Sequence, residues 1–248
     1  MCGRYSSSRS PETLAVEFGA RDATGERAPE PDYNVAPTKP VFAVVQRHPK
    51  DSEGNRDLTS SERSLRVMRW GLVPKWAKDP AVGSRMINAR SETVSVKPAF
   101  RGAIRHYRCL LPADGWYEWK GDTSPKQPYF AGSADGHSLG MAGIWATWRD
   151  PADPQGQPLV SCAVLTTEAV GELAGIHERM PLVLPRRHWD RWLDPDNEDV
   201  DELLNPPGHD LVNGLALRPV SRAVNNVANN GPELTEAAPD AENTLFRS

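Results

Sequence analysis

The chain is poor in cysteine. It has three in 248 residues, at Cys2, Cys109 and Cys162. An odd, widely spaced set is neither a secreted disulfide framework nor a zinc knuckle, so the expectation is a reducing cytosol with no metal and no cofactor. Long apolar runs are missing too. Met1 to Tyr5 passes straight into polar Ser6 to Ser10, and no later stretch would span a bilayer, which argues against a signal peptide or a membrane anchor. Nor is positive charge in excess: 29 Lys and Arg face 33 Asp and Glu, for a net charge of −4, which excludes a protein coated in basic surface. With no internal repeat and no linker rich enough to divide it, the chain is expected to form one domain over residues 1–230, followed by a polar, acidic tail at 231–248.

What the chain does have is punctuation. Its 23 prolines and 19 glycines imply many turns and only short helices. Ser10-Pro11-Glu12 ahead of Leu14, Val16 and Phe18 predicts a capped helix with proline at its first position. Val41 to Gln46 and Leu65 to Trp70 predict strands, with the polar run His48 to Ser64 as a long exposed loop between them. Further strands are expected at Cys109 to Pro112, Trp116 to Lys120, Tyr129-Phe130, Leu139 to Trp148, Leu159 to Thr166 and Leu215 to Val220. Ala169, Leu173 and Ile176 sit at helical spacing behind Thr167, and Trp189, Trp192 and Leu193 suggest another short helix. Together these define an α+β single domain with a curved, mostly antiparallel β-sheet or barrel-like core and a few short helices.

Charge is distributed unevenly. Between Arg66 and Lys120 eleven Lys or Arg face four acids, whereas Asp194 to Glu202 is strongly acidic. Such an asymmetry fits a basic groove on an acidic protein, and equally two solvated faces of opposite sign. Within the basic window, Arg69 to Lys78 interleaves cations with Trp70 and Trp76. Aromatics can stack on bases while cations follow a phosphate backbone.

Cys2 is the most informative position. Removal of Met1 would leave an α-amine and a thiol on one residue. The amine, with a reference pKa of about 7.7–8.0, is partly unprotonated at neutral pH and can condense with an aldehyde. The adjacent thiol can then close a five-membered thiazolidine, a closure favoured because the second nucleophile is already in place. On position alone Cys2 suits a small buried hydrophobe equally well. Asn88, in Met86-Ile87-Asn88-Ala89-Arg90, could position an amine while Arg90 holds a phosphate, or could form an Asx turn before a helix. Glu118, flanked by aromatics in Gly115-Trp116-Tyr117-Glu118-Trp119, should be desolvated and raised towards neutral pKa, suiting a general acid/base; the plain alternative is a surface pair with Lys120. His177 is a proton carrier at this pH, or a structural histidine. Arg4 is expected to bring positive charge beside Cys2. The other five histidines have no partner motif.

These segments, taken in order, resemble the SOS response-associated peptidase (SRAP) family of abasic-site processing proteins. The matching pieces are Met1-Cys2-Gly3-Arg4-Tyr5, Tyr33-Asn34-Val35-Ala36-Pro37, Trp70-Gly71-Leu72-Val73-Pro74 and Ile87-Asn88-Ala89-Arg90-Ser91-Glu92-Thr93. They continue through Ala113-Asp114-Gly115-Trp116-Tyr117-Glu118-Trp119, Ile176-His177-Glu178-Arg179-Met180-Pro181 and Val220-Ser221-Arg222-Ala223-Val224-Asn225. The resemblance implies a catalytic set of Cys2, Asn88, Glu118 and His177. It also implies DNA contacts at Arg4, Pro37, Trp76, Arg90 and Arg179. The expected partner is single-stranded DNA containing abasic sites, held covalently through a Schiff base and then a thiazolidine, with lyase and autoproteolytic activity as further consequences. The expected protein is a monomer in the cytoplasm, on the nucleoid when bound to DNA, or nuclear in a eukaryote. Two alternatives stay open: a thiol-dependent peptidase with Cys2 as nucleophile, and a non-covalent single-strand binding module.

Overall fold

The computed structural model describes residues 2–51 and 53–238. Thirteen strands are present among them: β1 (Tyr5–Ser7), β2 (Arg21–Asp22), β3 (Asp32–Val35), β4 (Pro40–Arg47), β5 (Glu62–Trp70), β6 (Asn88–Arg90), β7 (Arg108–Ala113), β8 (Gly115–Lys120), β9 (Gln127–Ser133), β10 (Leu139–Trp148), β11 (Leu159–Glu168), β12 (Arg179–Pro181) and β13 (Leu215–Pro219). Four short helices accompany them: α1 (Pro11–Phe18), α2 (Arg101–His106), α3 (Trp189–Leu193) and α4 (His209–Asn213).

Two sheets result. One runs β13-β9-β8-β1-β3; the other runs β12-β11-β10-β7-β4-β5-β2. The larger sheet curls far enough that β11 also pairs in parallel with β5, at Ser161–Arg69 and Cys162–Trp70. This is the α+β domain with a curved, largely antiparallel sheet that the strand pattern predicts.

Continuous burial, rather than alternation, marks the strands at the centre. Every residue of β7 is buried, as are the first seven of β10. A strand covered on both faces has no polar side to show. Its inward residues, Cys109, Leu111, Met141 and Trp145, join Cys2, Tyr5, Trp70 and Trp116 in a core shared with the smaller sheet. Its outward residues, Leu110, Ala142 and Ile144, pack under Leu14, Phe18, Ile104 and Trp192 from α1, α2 and α3. Helix α1 starts as expected, with the Ser10 hydroxyl accepting from the Thr13 amide, and it ends at Gly19 in the left-handed region.

Arg108, counted above with the basic window, is buried instead. Its guanidinium donates at 2.6–2.9 Å to the carbonyls of Ile104, Arg105, Trp192, Asp194 and Asn197, tying the C-terminal ends of α2 and α3 together. The predicted helix over Ala169 to Ile176 does not form. Strand β11 runs on to Glu168, and only a 3-10 turn, Gly171–Gly175, follows, with Leu173 turned into the core. Gly171 at φ 60° and Gly175 break the helical period that Ala169 and Leu173 suggested. Asn88 heads the three-residue strand β6, which pairs in parallel with β11, and is not an Asx turn before a helix.

The loop expected over 48–64 ends at 61, because β5 already begins at Glu62, and it is stitched by polar contacts. Asp51 and Asp57 accept from the backbone amides that follow them, and His48 bridges the Ser60 carbonyl and the Asp196 carboxylate. The start of the expected tail is packed. Leu234 is buried with Tyr117, Phe130, Val220 and Val224, and Ala237 bridges to Val220. An apolar leucine inside an acidic stretch is the physical reason; residues 239–248 lie outside the described residues. Among the described residues no helix is long and apolar enough to cross a membrane.

Candidate active site

Three chain segments converge beside Cys2. The first is β1, which sits between β3 and β8, with Tyr5 opposite both Val35 and Trp116, so the residues just ahead of it lie alongside β8. The second is β8 itself. Strand alternation sends Trp116 and Glu118 to the face that Cys2 occupies and Tyr117 and Trp119 to the other. The third is β6, delivered by a close backbone crossing. Gly71, at φ 124°, lies so near Gly83 that a Cβ on Gly71 would stand 2.6 Å from the Gly83 carbonyl oxygen. That contact steers the chain from the end of β5 to β6, with the Leu72 amide donating to the Met86 carbonyl at 3.0 Å.

At the meeting point Cys2 is fully buried. Asn88 Nδ2 donates to its carbonyl oxygen at 2.7 Å, while Asn88 Oδ1 is buried with no hydrogen-bond partner. Glu118 and His177 line one small crevice with Trp116, Tyr129, Met180 and Arg179. Burial lifts the Glu118 carboxyl from its ordinary 4.5 to about 7. The Cys2 thiol is pushed well above its ordinary value, first by burial and then by the neighbouring Glu118 carboxylate. His177 moves the other way, its pKa lowered chiefly by burial. Its Nδ1 accepts from the Arg179 amide at 2.9 Å, which leaves Nε2 as the protonated nitrogen of a neutral ring. Cys2, Asn88, Glu118 and His177, far apart in sequence, therefore share one place in the fold.

The residues expected to contact DNA are distributed differently. Arg179 lines the crevice, and Arg90 is exposed at the end of β6, two residues from Asn88. Pro37 is half-buried in the turn after β3, next to Thr38 at φ 73°, an unusual backbone for a β-branched residue. Trp76 is 64% exposed. It borders a groove of about 360 Å³ whose lining includes Tyr107, Trp145, Arg47 and Lys75, and which none of the four convergent residues lines. Arg47 stacks over Trp145 at 5.0 Å, and Lys75 lies 5.6 Å from the Tyr107 ring.

Arg4 departs from expectation. Its guanidinium donates to Asn34 Oδ1 at 2.6 Å and to the Val224 carbonyl at 2.8 Å, and lies 5.9 Å from the Trp119 ring, on the face of β8 turned away from Glu118. The charge is on the wrong side of the strand to act on the thiol; what favours the Cys2 thiolate, against the larger effect of burial, is the N-terminal charge and then the Arg4 backbone. Sequence reasoning passed over Glu92, whose carboxylate pairs with Arg179, and the groove residues Tyr107, Trp145 and Arg47. The signal for Glu92 was its place in the Arg90-Ser91-Glu92 piece. Among the described residues no group of three or more His, Cys, Asp or Glu is disposed to hold a metal ion.

The architecture belongs to a known class. A Bacteroides thetaiotaomicron protein of known crystal structure shares it with a TM-score of 0.77 at 23% identity, over 96% of this chain and 100% of that one. The family model for the SOS response associated peptidase (SRAP) matches residues 1–227, and the chain belongs to that family. The abasic site processing protein YoqW of Bacillus subtilis (strain 168) is 36% identical over 96% of this chain and 100% of its own length. YedK of Escherichia coli (strain K12), also named an abasic site processing protein, is 33% identical over 95% of this chain and 99% of its own. HMCES of Xenopus tropicalis, likewise so named, is 30% identical over 96% of this chain and 78% of its own.

Proposed function

We propose that this chain processes abasic sites by capturing their ring-opened aldehyde, in single-stranded DNA, on the nitrogen and sulfur of a freed Cys2. The observation that carries this reading is a buried carboxyl, Glu118, held at about pKa 7 beside a Cys2 whose carbonyl is gripped by Asn88. The names of the relatives point to the same lesion.

The chemistry balances without a cofactor. Glu118, half protonated at neutral pH, assists opening of the sugar ring. The Cys2 amine adds to the aldehyde carbon to give a carbinolamine, which loses water to become an imine as an acid supplies the departing proton. The thiol then adds to the imine carbon, its proton passes to nitrogen, and the thiazolidine closes. Asn88 fixes the Cys2 backbone during these steps, and the neutral His177 moves protons at Nε2. The imine also permits β-elimination, the route to a lyase. Arg179 and Arg90 hold phosphates at the crevice, while Pro37 and Trp76 press on neighbouring bases. Arg4 contributes by anchoring the segment between Cys2 and β1.

The peptidase reading is weaker on physical grounds. A hydrolase needs thiolate, and burial disfavours thiolate here, whereas imine formation starts at nitrogen. Intact mass with and without an abasic single-stranded oligonucleotide tests the proposal. The expected spectrum shows loss of Met1 and an adduct one water lighter than protein plus DNA. Undiminished crosslinking by a protein whose N-terminus is extended, so that Met1 stays, would sink it.

A further inference from the structure

Arg179 is already engaged. Its Nη1 and Nη2 donate to the two Glu92 carboxylate oxygens at 2.6 and 2.9 Å, and Nη2 donates to the Thr166 carbonyl at 2.7 Å. A guanidinium held at both ends by two oxygens of one anion has the geometry of an arginine on a phosphate. The Arg179 side chain is 12% exposed, whereas that of Glu92 is 48% exposed. The cation is thus fixed in the wall of the crevice, and its present anion is reached from solvent and can swing away.

We propose that Glu92 is an internal stand-in for a DNA phosphate: it occupies Arg179 in the free protein and must yield when a strand binds. The inference rests on the reading of Arg179 as a phosphate contact. A competitor of this kind lowers affinity for every strand alike, because phosphate contacts carry no sequence information. It leaves selectivity to the covalent step at Cys2, so that undamaged single strands are released and only a lesion is retained. Arg90, two residues before Glu92 and exposed, adds positive charge near the same carboxylate.

The test is fluorescence anisotropy of an undamaged single-stranded oligonucleotide over a salt series. The proteins are wild type, Glu92→Gln, Arg179→Gln and the double variant, with Glu92→Ala as a second probe of the same position. Glu92→Gln should bind about three- to five-fold more tightly at low salt. Its log–log salt slope should steepen by about 0.7, the signature of one more single-strand phosphate contact. The double variant should show neither change. Equal or weaker binding by Glu92→Gln and Glu92→Ala overturns the inference, as does a gain that survives in the double variant, which would mark a general charge effect. A strand that wild type does not hold under any salt would remove the DNA reading itself, and this inference with it.

Discussion

Two buried polar centres in this molecule are built on opposite principles. Around Arg108 five backbone carbonyls accept from the guanidinium, and the charge serves to join two helix ends. Around Cys2 and the crevice, Asn88 Oδ1 and Arg179 Nε are buried without hydrogen-bond partners, and Glu118 is held near neutral pKa. Buried polar groups in native proteins are almost always satisfied, so unpaired atoms close to a carboxyl of raised pKa mark a place to look for a ligand or a reaction. The first centre is architecture; the second is where the proposed chemistry would take place. Substitutions should separate them, with stability lost at one and reactivity at the other.

The largest effect belongs to the clamp. Arg108→Met removes all five bonds and leaves buried carbonyls unpaired, costing about 3 kcal/mol or more. Urea unfolding should show it as a lower midpoint, while the protein that remains folded crosslinks abasic DNA at the wild-type rate. A slowed crosslinking rate in that folded fraction would break the comparison.

Glu118→Gln should act with the opposite sign. A carboxyl raised in the folded state from 4.5 to about 7 favours folding only below its unfolded value, and that advantage fades as pH climbs through the folded value. Wild type therefore loses stability between about pH 4.5 and 7, and the glutamine variant does not. At pH 8 the variant should be more stable by on the order of 2–3 kcal/mol, the difference vanishing near pH 4. Its crosslinking should slow by about 100-fold or more. Thermal melting across pH reads the first and gel-shift kinetics the second. A variant that is less stable at pH 8 would show that Glu118 is a structural ion and not a strained acid.

Asn88→Ala is intermediate. It deletes the 2.7 Å bond to the Cys2 carbonyl, worth about 1 kcal/mol to the fold. Loss of that grip should slow the chemical step about ten-fold while leaving affinity for undamaged DNA intact. If affinity falls in step with rate, Asn88 contacts the strand and does not position the nucleophile.

The contrast between the two centres also marks what the sequence could show. Long strands were readable because apolar runs such as Leu139 to Trp148 and Val41 to Gln46 bury both faces, and β10 and β4 form where expected. Three-residue strands were not. Asn88–Arg90 and Arg179–Pro181 have too few residues for any period, and they are strands only because β11 offers them its edges. The apolar spacing of Ala169 and Leu173 misled for a related reason: both residues are core, but they reach it from a strand end and a 3-10 turn. Candidate site residues stood out at Glu118, a carboxyl set among aromatics, and at His177, whereas Cys2 by position alone reads like the core cysteines Cys109 and Cys162, which are buried as it is. Charge was legible in sign but not in destination. Arg108 turned inward, Arg4 crossed to the far face of β8, and Arg179 was found already paired, all decided by tertiary contacts.

The smallest effect on the fold is expected at Trp76, and that makes it the sharpest test of where the DNA-contacting surface ends. At 64% exposure its side chain contributes little to the core, so Trp76→Ala should leave the melting temperature unchanged. The groove beside it holds Tyr107 and Trp145 under Lys75 and Arg47, a pairing of flat rings with cations suited to an unstacked base and its phosphate. Losing one stacking platform costs about 1 kcal/mol or more, close to five-fold in affinity for a single strand. The salt slope should not move, because no phosphate contact is removed. Crosslinking at saturating DNA should keep its wild-type rate, since the proposed chemistry is placed at Cys2 and Glu118, neither of which lines the groove. A Trp76→Ala protein that binds normally would confine the DNA surface to the crevice around Arg179 and Arg90. One that binds weakly and also crosslinks slowly at saturation would extend the reactive centre to the groove, and erase the division between platform and chemistry.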